Sequence, residues 1–492
     1  MQTKRAEQFL YLLLFIVCAF IVYVYGFMIK SNGDNIEHIH TSWLLWQNNI
    51  PYKDFFQHHN PLIWYMFSPL VALSIENTII FSMFNIISVV CFIGVVFFEA
   101  KILFQLKVNK IAVLVFSLIT LSSYSMLCSM DYRPDTFMYL FFFMSVFYWF
   151  KYNNKEELKD IILSFLFFFL SFMCSQKILL NLSLIGIIII YELFTKKIKK
   201  QYFFLSLVLP ILLLVLFLSY LYVNDALYIY IKSNYYFNSY VPTIFANQRI
   251  SMPPLMYYEF YIFIPLSFFS AIYFLIKGEF HEKIISLLFI EELFLRAFYF
   301  SAFLHYNALF LMLAIMLSVM FFARIKFLPK SLFILSIIYI FFAIYYNYQK
   351  TYFLEQERKN HKANYEFVFE NTTPCDYVIN GYYAVYNLKS KDPGFYSILL
   401  GQIDVLGEKL GIKKKANLNE LVLQYMPKII SGGVYWDTYE EDRGRRIPVH
   451  FIDRKILETY YDYTNQGNLF ILKPQYQKQN CKYNGISWNY ED

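Results

Sequence analysis

Apolar residues in this chain neither alternate nor recur on one helix face; for most of its length they run on. Continuous apolar stretches lie near 9–28, 78–100, 111–129, 136–151, 160–177, 179–195, 202–222, 257–276, 284–303, 307–323 and 331–347. A bilayer crossing takes about 20 such residues as a helix, so the pattern predicts about eleven transmembrane helices. The first run, Phe9 to Met28, follows Lys4 and Arg5. It is too long for a signal-peptide core and has no small-residue cleavage site, so it is read as a helix. Beyond 347 the pattern changes to a polar tail. Short strands are expected at 376–381 and 467–474, and a helix at 417–425 stopped by Pro427. The sequence thus divides into a transmembrane domain, 1–347, and a small α/β domain, 348–492.

The basic residues set an orientation. Lys101, Lys107 and Lys110, Lys151 and Lys155, the block 196–200, Lys277 and Lys283, and Arg324, Lys326 and Lys330 fall on every second loop. Together with Lys4 and Arg5 they put the N-terminus in the cytoplasm. Eleven crossings then place the tail, and the loops 29–77, 129–135 and 223–256, on the outer side of a cytoplasmic (inner) membrane. Composition agrees, with 58% hydrophobic and 16% charged residues, 55 Phe and 45 Tyr. The net charge of +7 is accounted for by membrane flanks, so no nucleic acid partner is expected. Cys18, Cys91, Cys128 and Cys174 lie in apolar runs as small hydrophobes. Cys375 and Cys481 are the only pair in the outer domain, where an oxidising compartment favours a bridge.

Against this background the stretch 31–62, "SNGDNIEHIHTSWLLWQNNIPYKDFFQHHNPL", is anomalous, with three acids and half of the eight histidines. A helix beginning at Asp34 puts Asp34, Glu37 and His38 on one face and Ile36, Ile39, Trp43 and Leu44 on the other. It is expected to lie along the outer membrane surface. A second short outer loop carries Asp131, Arg133 and Asp135. Asp135 there is a helix N-terminal acid in an ion pair, or else the second carboxylate of a site shared with Asp34. Lys177 is either a snorkelling lysine or an anion ligand. Glu292 and Arg296, four apart within an apolar run, either neutralise one another or serve function. Glu291, and His305 with Tyr306, complete the polar inventory near that face. Carboxylate with imidazole also suits a divalent metal (Mg, Mn or Zn), with Asp135 and His38 as candidate ligands.

The stretch "GDNIEHIHTSWLLWQNNIPYKDFFQHHNPLIWYMFSPL" resembles the first outer loop of bacterial membrane glycosyltransferases of the GT-C superfamily. These are the polyprenyl-phosphate-sugar enzymes related to protein O-mannosyltransferases and to the lipid A aminoarabinose transferase. Asp34 stands at the Asp of their Asp-Glu pair, Glu37-His38 at a Glu-His, and Pro51–Phe56 and His59–Leu62 at later segments. "RPD" (133–135), "SQK" (175–177) and "HY" (305–306) are similar to further family segments, over about residues 5 to 320. The second acid of the pair is Asn35 here, so Glu37 or Asp54 would have to replace it.

The resemblance implies a GT-C fold and inverting transfer of a sugar from a polyprenyl-phosphate donor. The acceptor would be a glycan, lipid or protein hydroxyl at the outer membrane face. It implies Asp34 as base, Asp135 as partner carboxylate or metal ligand and Glu37 as auxiliary acid. Lys177, Arg296 and His305 would meet the donor phosphate. A non-enzymatic flippase of polyprenyl-linked glycans is the alternative, although no internal repeat of the transporter kind is present. An O-antigen-type polymerase or ligase would need a larger outer loop than 223–256, where Arg249 lies.

Overall fold

The structure is a computed structural model. It describes residues 2–24, 33–74, 79–125, 132–240, 254–298, 307–325 and 337–346, and in the tail chiefly 366–380, 418–431, 440–442, 445–447, 452–464 and 469–477. Helices stand at each of the eleven apolar runs. They are α1 (Gln2–Ile21), α4 (Ile79–Gln105), α5 (Lys110–Ser122), α6 (Pro134–Lys155), α7 (Leu158–Cys174), α8 (Leu179–Phe194), α9 (Lys200–Val223), α11 (Pro254–Lys277), α12 (Phe280–Phe298), α13 (Ala308–Arg324) and α14 (Ile337–Tyr346). Five helical stretches among the described residues are long and apolar enough to cross a membrane: Glu7–Val24, Ile79–Gln105, Gln176–Phe194, Lys200–Val223 and Tyr258–Lys277. Between the runs come α2 (Gly33–Trp46), α3 (Leu62–Ser74) and α10 (Leu227–Ile231), the last continuing into a π-helical turn, Lys232–Phe237.

The chain packs as two discontinuous units. One comprises Met1–Ile29, Asn85–Phe217 and Ile244–Phe353; the other comprises Lys30–Phe84, Leu218–Thr243 and Leu354–Asp492. This grouping differs from a single boundary at 347/348, because segments 30–84 and 218–243 group with the tail.

In the first unit, α6 and α7 form a tight hairpin. Pro134 opens α6, where its missing N–H costs nothing, and Glu156 closes it in the left-handed conformation (φ 54°). Ser164 and Ser171 of α7 donate across to the Ser145 and Met138 carbonyls at 3.0 and 2.8 Å. Asn109 caps α5 by accepting from the Ala112 amide at 2.9 Å. Helix α13 is buried from Ala308 to Met320, as a helix apolar all round must be. One charge in this unit stands apart. Glu99 of α4 is 0% exposed, and among the described residues neither of its carboxyl oxygens has a hydrogen-bond partner.

In the second unit, α2 departs from expectation. It begins at Gly33, as the sequence indicated, but Asn35 to Leu44 are all buried. It is therefore not a half-exposed surface helix. On its polar face Glu37 and His38 are covered as fully as its apolar residues, and among its described side chains only Trp46, at 42% exposure, is open. The tail holds a four-stranded sheet, in the order β1 (Val378–Ile379), β2 (Ile429–Ser431), β6 (Leu469–Leu472), β5 (Tyr461–Tyr463). Strands β1 and β2 pair in parallel and the others antiparallel. A hairpin of β3 (Glu440–Asp442) and β4 (Arg445–Ile447) and two helices, α15 (Leu418–Tyr425) and α16 (Arg454–Tyr460), accompany it. The strands expected at 376–381 and 467–474 and the helix at 417–425 are present; β2 and β5 were not foreseen. Cys375 is disulfide-bonded, and its expected partner Cys481 lies outside the described residues.

Candidate functional site

In the stretch 31–62, side chains tie α2 to the segment that follows it. Glu37 on α2 accepts from the Gln57 amide at 3.1 Å, and that amide also reaches the Thr41 hydroxyl at 2.8 Å. Thr41 in turn donates to the Glu37 carbonyl at 2.8 Å. One turn of α2 is thereby tied to the segment "FQHHN". His38 accepts at Nδ1 from the Trp64 indole of α3 at 3.3 Å and sits edge-on to His59, ring centroids 5.5 Å apart. His58 and His59 face each other through Nε2 atoms 2.9 Å apart, so one ring donates and the other accepts.

The backbone of this segment is clamped from two sides. The Tyr52 hydroxyl donates to the His59 carbonyl, and the Asn238 amide to the His58 carbonyl at 2.6 Å. The Tyr230 hydroxyl donates to Asn60 at 2.9 Å. Burial pushes the Tyr52 phenol well above its ordinary range, which keeps it a donor. Asp54 caps its own turn, accepting from the Ile50 amide at 2.6 Å. Asp34 lies in the first turn of α2.

The other unit holds a second constellation. Asp135, in the first turn of α6, accepts from Lys177 at 2.9 Å; the aspartate side chain is 8% exposed and the lysine 26%. Lys177 stands in the short 3₁₀ turn Gln176–Ile178 that leads into α8. One helical turn further, the Asn181 amide donates to Glu291 at 3.0 Å and to Glu292 at 2.9 Å on α12. Glu292 also accepts from Arg296 at 2.8 Å. The i,i+4 pair that the sequence spacing allowed is formed, and the helix N-terminal acid Asp135 is ion-paired with Lys177, a partner that the sequence did not indicate.

The sequence-derived residues are therefore sorted into two groups. Glu37 and His38 belong to the cluster around α2 and Gln57, while Asp135, Lys177 and Arg296 belong to the helical seam; His305, Tyr306, Asp131 and Arg249 lie outside the described residues. Among the described residues, no group of three or more His, Cys, Asp or Glu side chains forms a metal site. Asn181, Gln57, Tyr230 and Asn238 were missed by sequence reasoning. Only Asn181 carried a signal, as an amide inside a run long enough to cross a membrane.

No curated protein matches the chain. Residues 58–220 match the family model described as dolichyl-phosphate-mannose-protein mannosyltransferase, a span that takes in His58, His59, Asp135, Lys177 and Asn181.

Proposed function

We propose that the protein is a glycosyltransferase that takes a sugar from a polyprenyl-phosphate donor and passes it, with inversion, to a hydroxyl acceptor. The family match over 58–220 carries this reading. The setting is the outer face of the cytoplasmic membrane, with the tail on that side. In the reaction the acceptor oxygen bonds to the anomeric carbon as its proton passes to a carboxylate. The bond from that carbon to the phosphate oxygen breaks, and polyprenyl phosphate leaves with the electron pair.

Asp34 is assigned as the base and Asp135 as the partner carboxylate. Glu37, already bound by Gln57, supports the loop in place of the acid that Asn35 replaces. Lys177 and Arg296, with His305, meet the donor phosphate, since fixed cations at a departing phosphate are worth most in a water-poor site. Asp135 and His38 are the candidate ligands should the reaction need a divalent ion, although among the described residues neither stands in a group of three such side chains. The acceptor is a glycan, lipid or protein hydroxyl.

Incubating purified protein with polyprenyl-phosphate sugars and an acceptor extract, and following released polyprenyl phosphate by mass spectrometry, tests the reading. Release that depends on acceptor is expected. Movement of intact donor across a vesicle bilayer without release would favour the flippase, for which the polar seam inside apolar helices is the supporting observation.

A further inference from the structure

We propose that Asn181 is a positioning residue that fixes the register of α8 against α12 and so holds Lys177 and Arg296 at one depth for a lipid phosphate. The proposal rests on the function proposed above. Asn181 is 2% exposed, in a helix built mostly of Leu and Ile, and its one amide group binds two adjacent carboxyls. Burying an amide among aliphatic side chains is costly unless its hydrogen bonds are made. This bridge therefore works as a latch: sliding α8 by one residue along α12 breaks both bonds at once.

A second tie shows that the two helices run antiparallel and fixes their spacing. At the other end of α8, Glu192 accepts from the Trp149 indole and the Asn153 amide of α6, both at 2.7 Å. Asn153 also meets His281, in the first turn of α12, at 3.3 Å. Eleven residues separate Asn181 from Glu192 on α8, and eleven separate His281 from Glu292 on α12. At a rise of about 1.5 Å per residue the two ties are equally far apart on both helices, so neither helix can shift without straining one of them.

The consequence lies outward of the latch. Lys177 precedes Asn181 by four residues, and Arg296 follows Glu292 by four. Because the helices are antiparallel, both offsets point to the same end and amount to about 6–7 Å each, the Lys177 side including part of a 3₁₀ turn. Each cation is also held by its own acid, Lys177 by Asp135 and Arg296 by Glu292. Two oriented cations at one level, carried by two helices, suit the oxygens of one phosphate group. Asn181 acts on them through Glu292 and through helix register.

The test uses full-length protein with Cys18, Cys91, Cys128 and Cys174 replaced by Ser. With Lys177→Cys and Arg296→Cys together, a short bis-maleimide should join the two positions, and adding Asn181→Leu should cut the yield at least five-fold. No cross-link with Asn181 in place, or a yield that Asn181→Leu leaves unchanged, overturns the proposal. In the native background Asn181→Leu should raise the donor KM at least ten-fold and leave the acceptor KM within two-fold. Asn181→Gln, which keeps the amide, should recover part of the loss. A donor KM that does not move, or donor and acceptor KM values rising together, also overturns it. Undecaprenyl phosphate binding, read by native mass spectrometry, separates the two readings. If the unmutated protein does not bind that lipid, the proposed function falls, while the cross-linking still decides the register.

Discussion

Lys177 and Asp135 form a mostly buried pair on two different elements, 2.9 Å apart. A hydrogen bond between charged groups contributes about 1.5–3 kcal/mol, reduced where water reaches the lysine. Asp135→Asn and Lys177→Gln should each destabilise the protein, and the double variant should cost less than the two together. Thermal unfolding of the four proteins measures the coupling, and simple additivity would show the pair to be idle. Asp34 and Glu37 differ in a way that sets their variants apart. Glu37 accepts from the Gln57 amide, and a glutamine in its place keeps an oxygen that can accept, so Glu37→Gln should cost modestly in both stability and turnover. Asp34→Asn should remove about 10²- to 10⁴-fold of turnover, the usual contribution of a positioned base. Unchanged turnover in Asp34→Asn would end its assignment.

Among the helices, the end of α11 is under close steric control. A Cβ added at Gly278 would stand 2.4 Å from the Phe274 carbonyl oxygen, which is backbone and cannot turn aside. The Gly278 amide closes the helix on that same carbonyl at 2.8 Å. Gly278→Ala should therefore cost about 1–3 kcal/mol, the range for forced overpacking. A melting temperature equal to that of the unchanged protein would refute the contact. The contrast with α2 is informative. Its hydrophobic pattern indicated where it starts and which residues share a face, but not that Glu37 and His38 on the polar face would be covered. Gln57 and Trp64, which hold Glu37 and His38, are distant in sequence from them and follow no periodic rule. The same is true of Tyr230 and Asn238, which hold the segment beyond.

For the whole molecule, runs of apolar residues and the alternation of basic loops made the helices legible, because lipid demands both within one local segment. The Glu292–Arg296 pair was legible for the same reason, since four residues is about one turn. The pairing of Asn181 with α12 was not, because it joins residues 110 positions apart. In the tail, strands β1 and β6 lie inside longer stretches that read as strands, whereas β2 follows two residues after Pro427 and β5 follows α16 without a break, so neither stood apart from the helix before it. Orientation remains an expectation with a direct check: reporter fusions at Lys197 and Gln349 should report opposite sides of the membrane. Reporters on the same side would displace every residue assigned to the outer face.

Glu99 carries a consequence for handling the protein. A fully buried acid with both oxygens unmatched among the described residues draws on the stability that the surrounding packing supplies. Removing such a group while keeping its volume is among the few single changes that raise stability. Glu99→Leu should raise the melting temperature by several degrees in detergent, read by the loss of monodisperse protein on heating. A lower melting temperature would mean that the carboxyl is needed where it stands. A more robust variant would let purified protein survive the long incubations with lipid-linked sugars on which its assay depends.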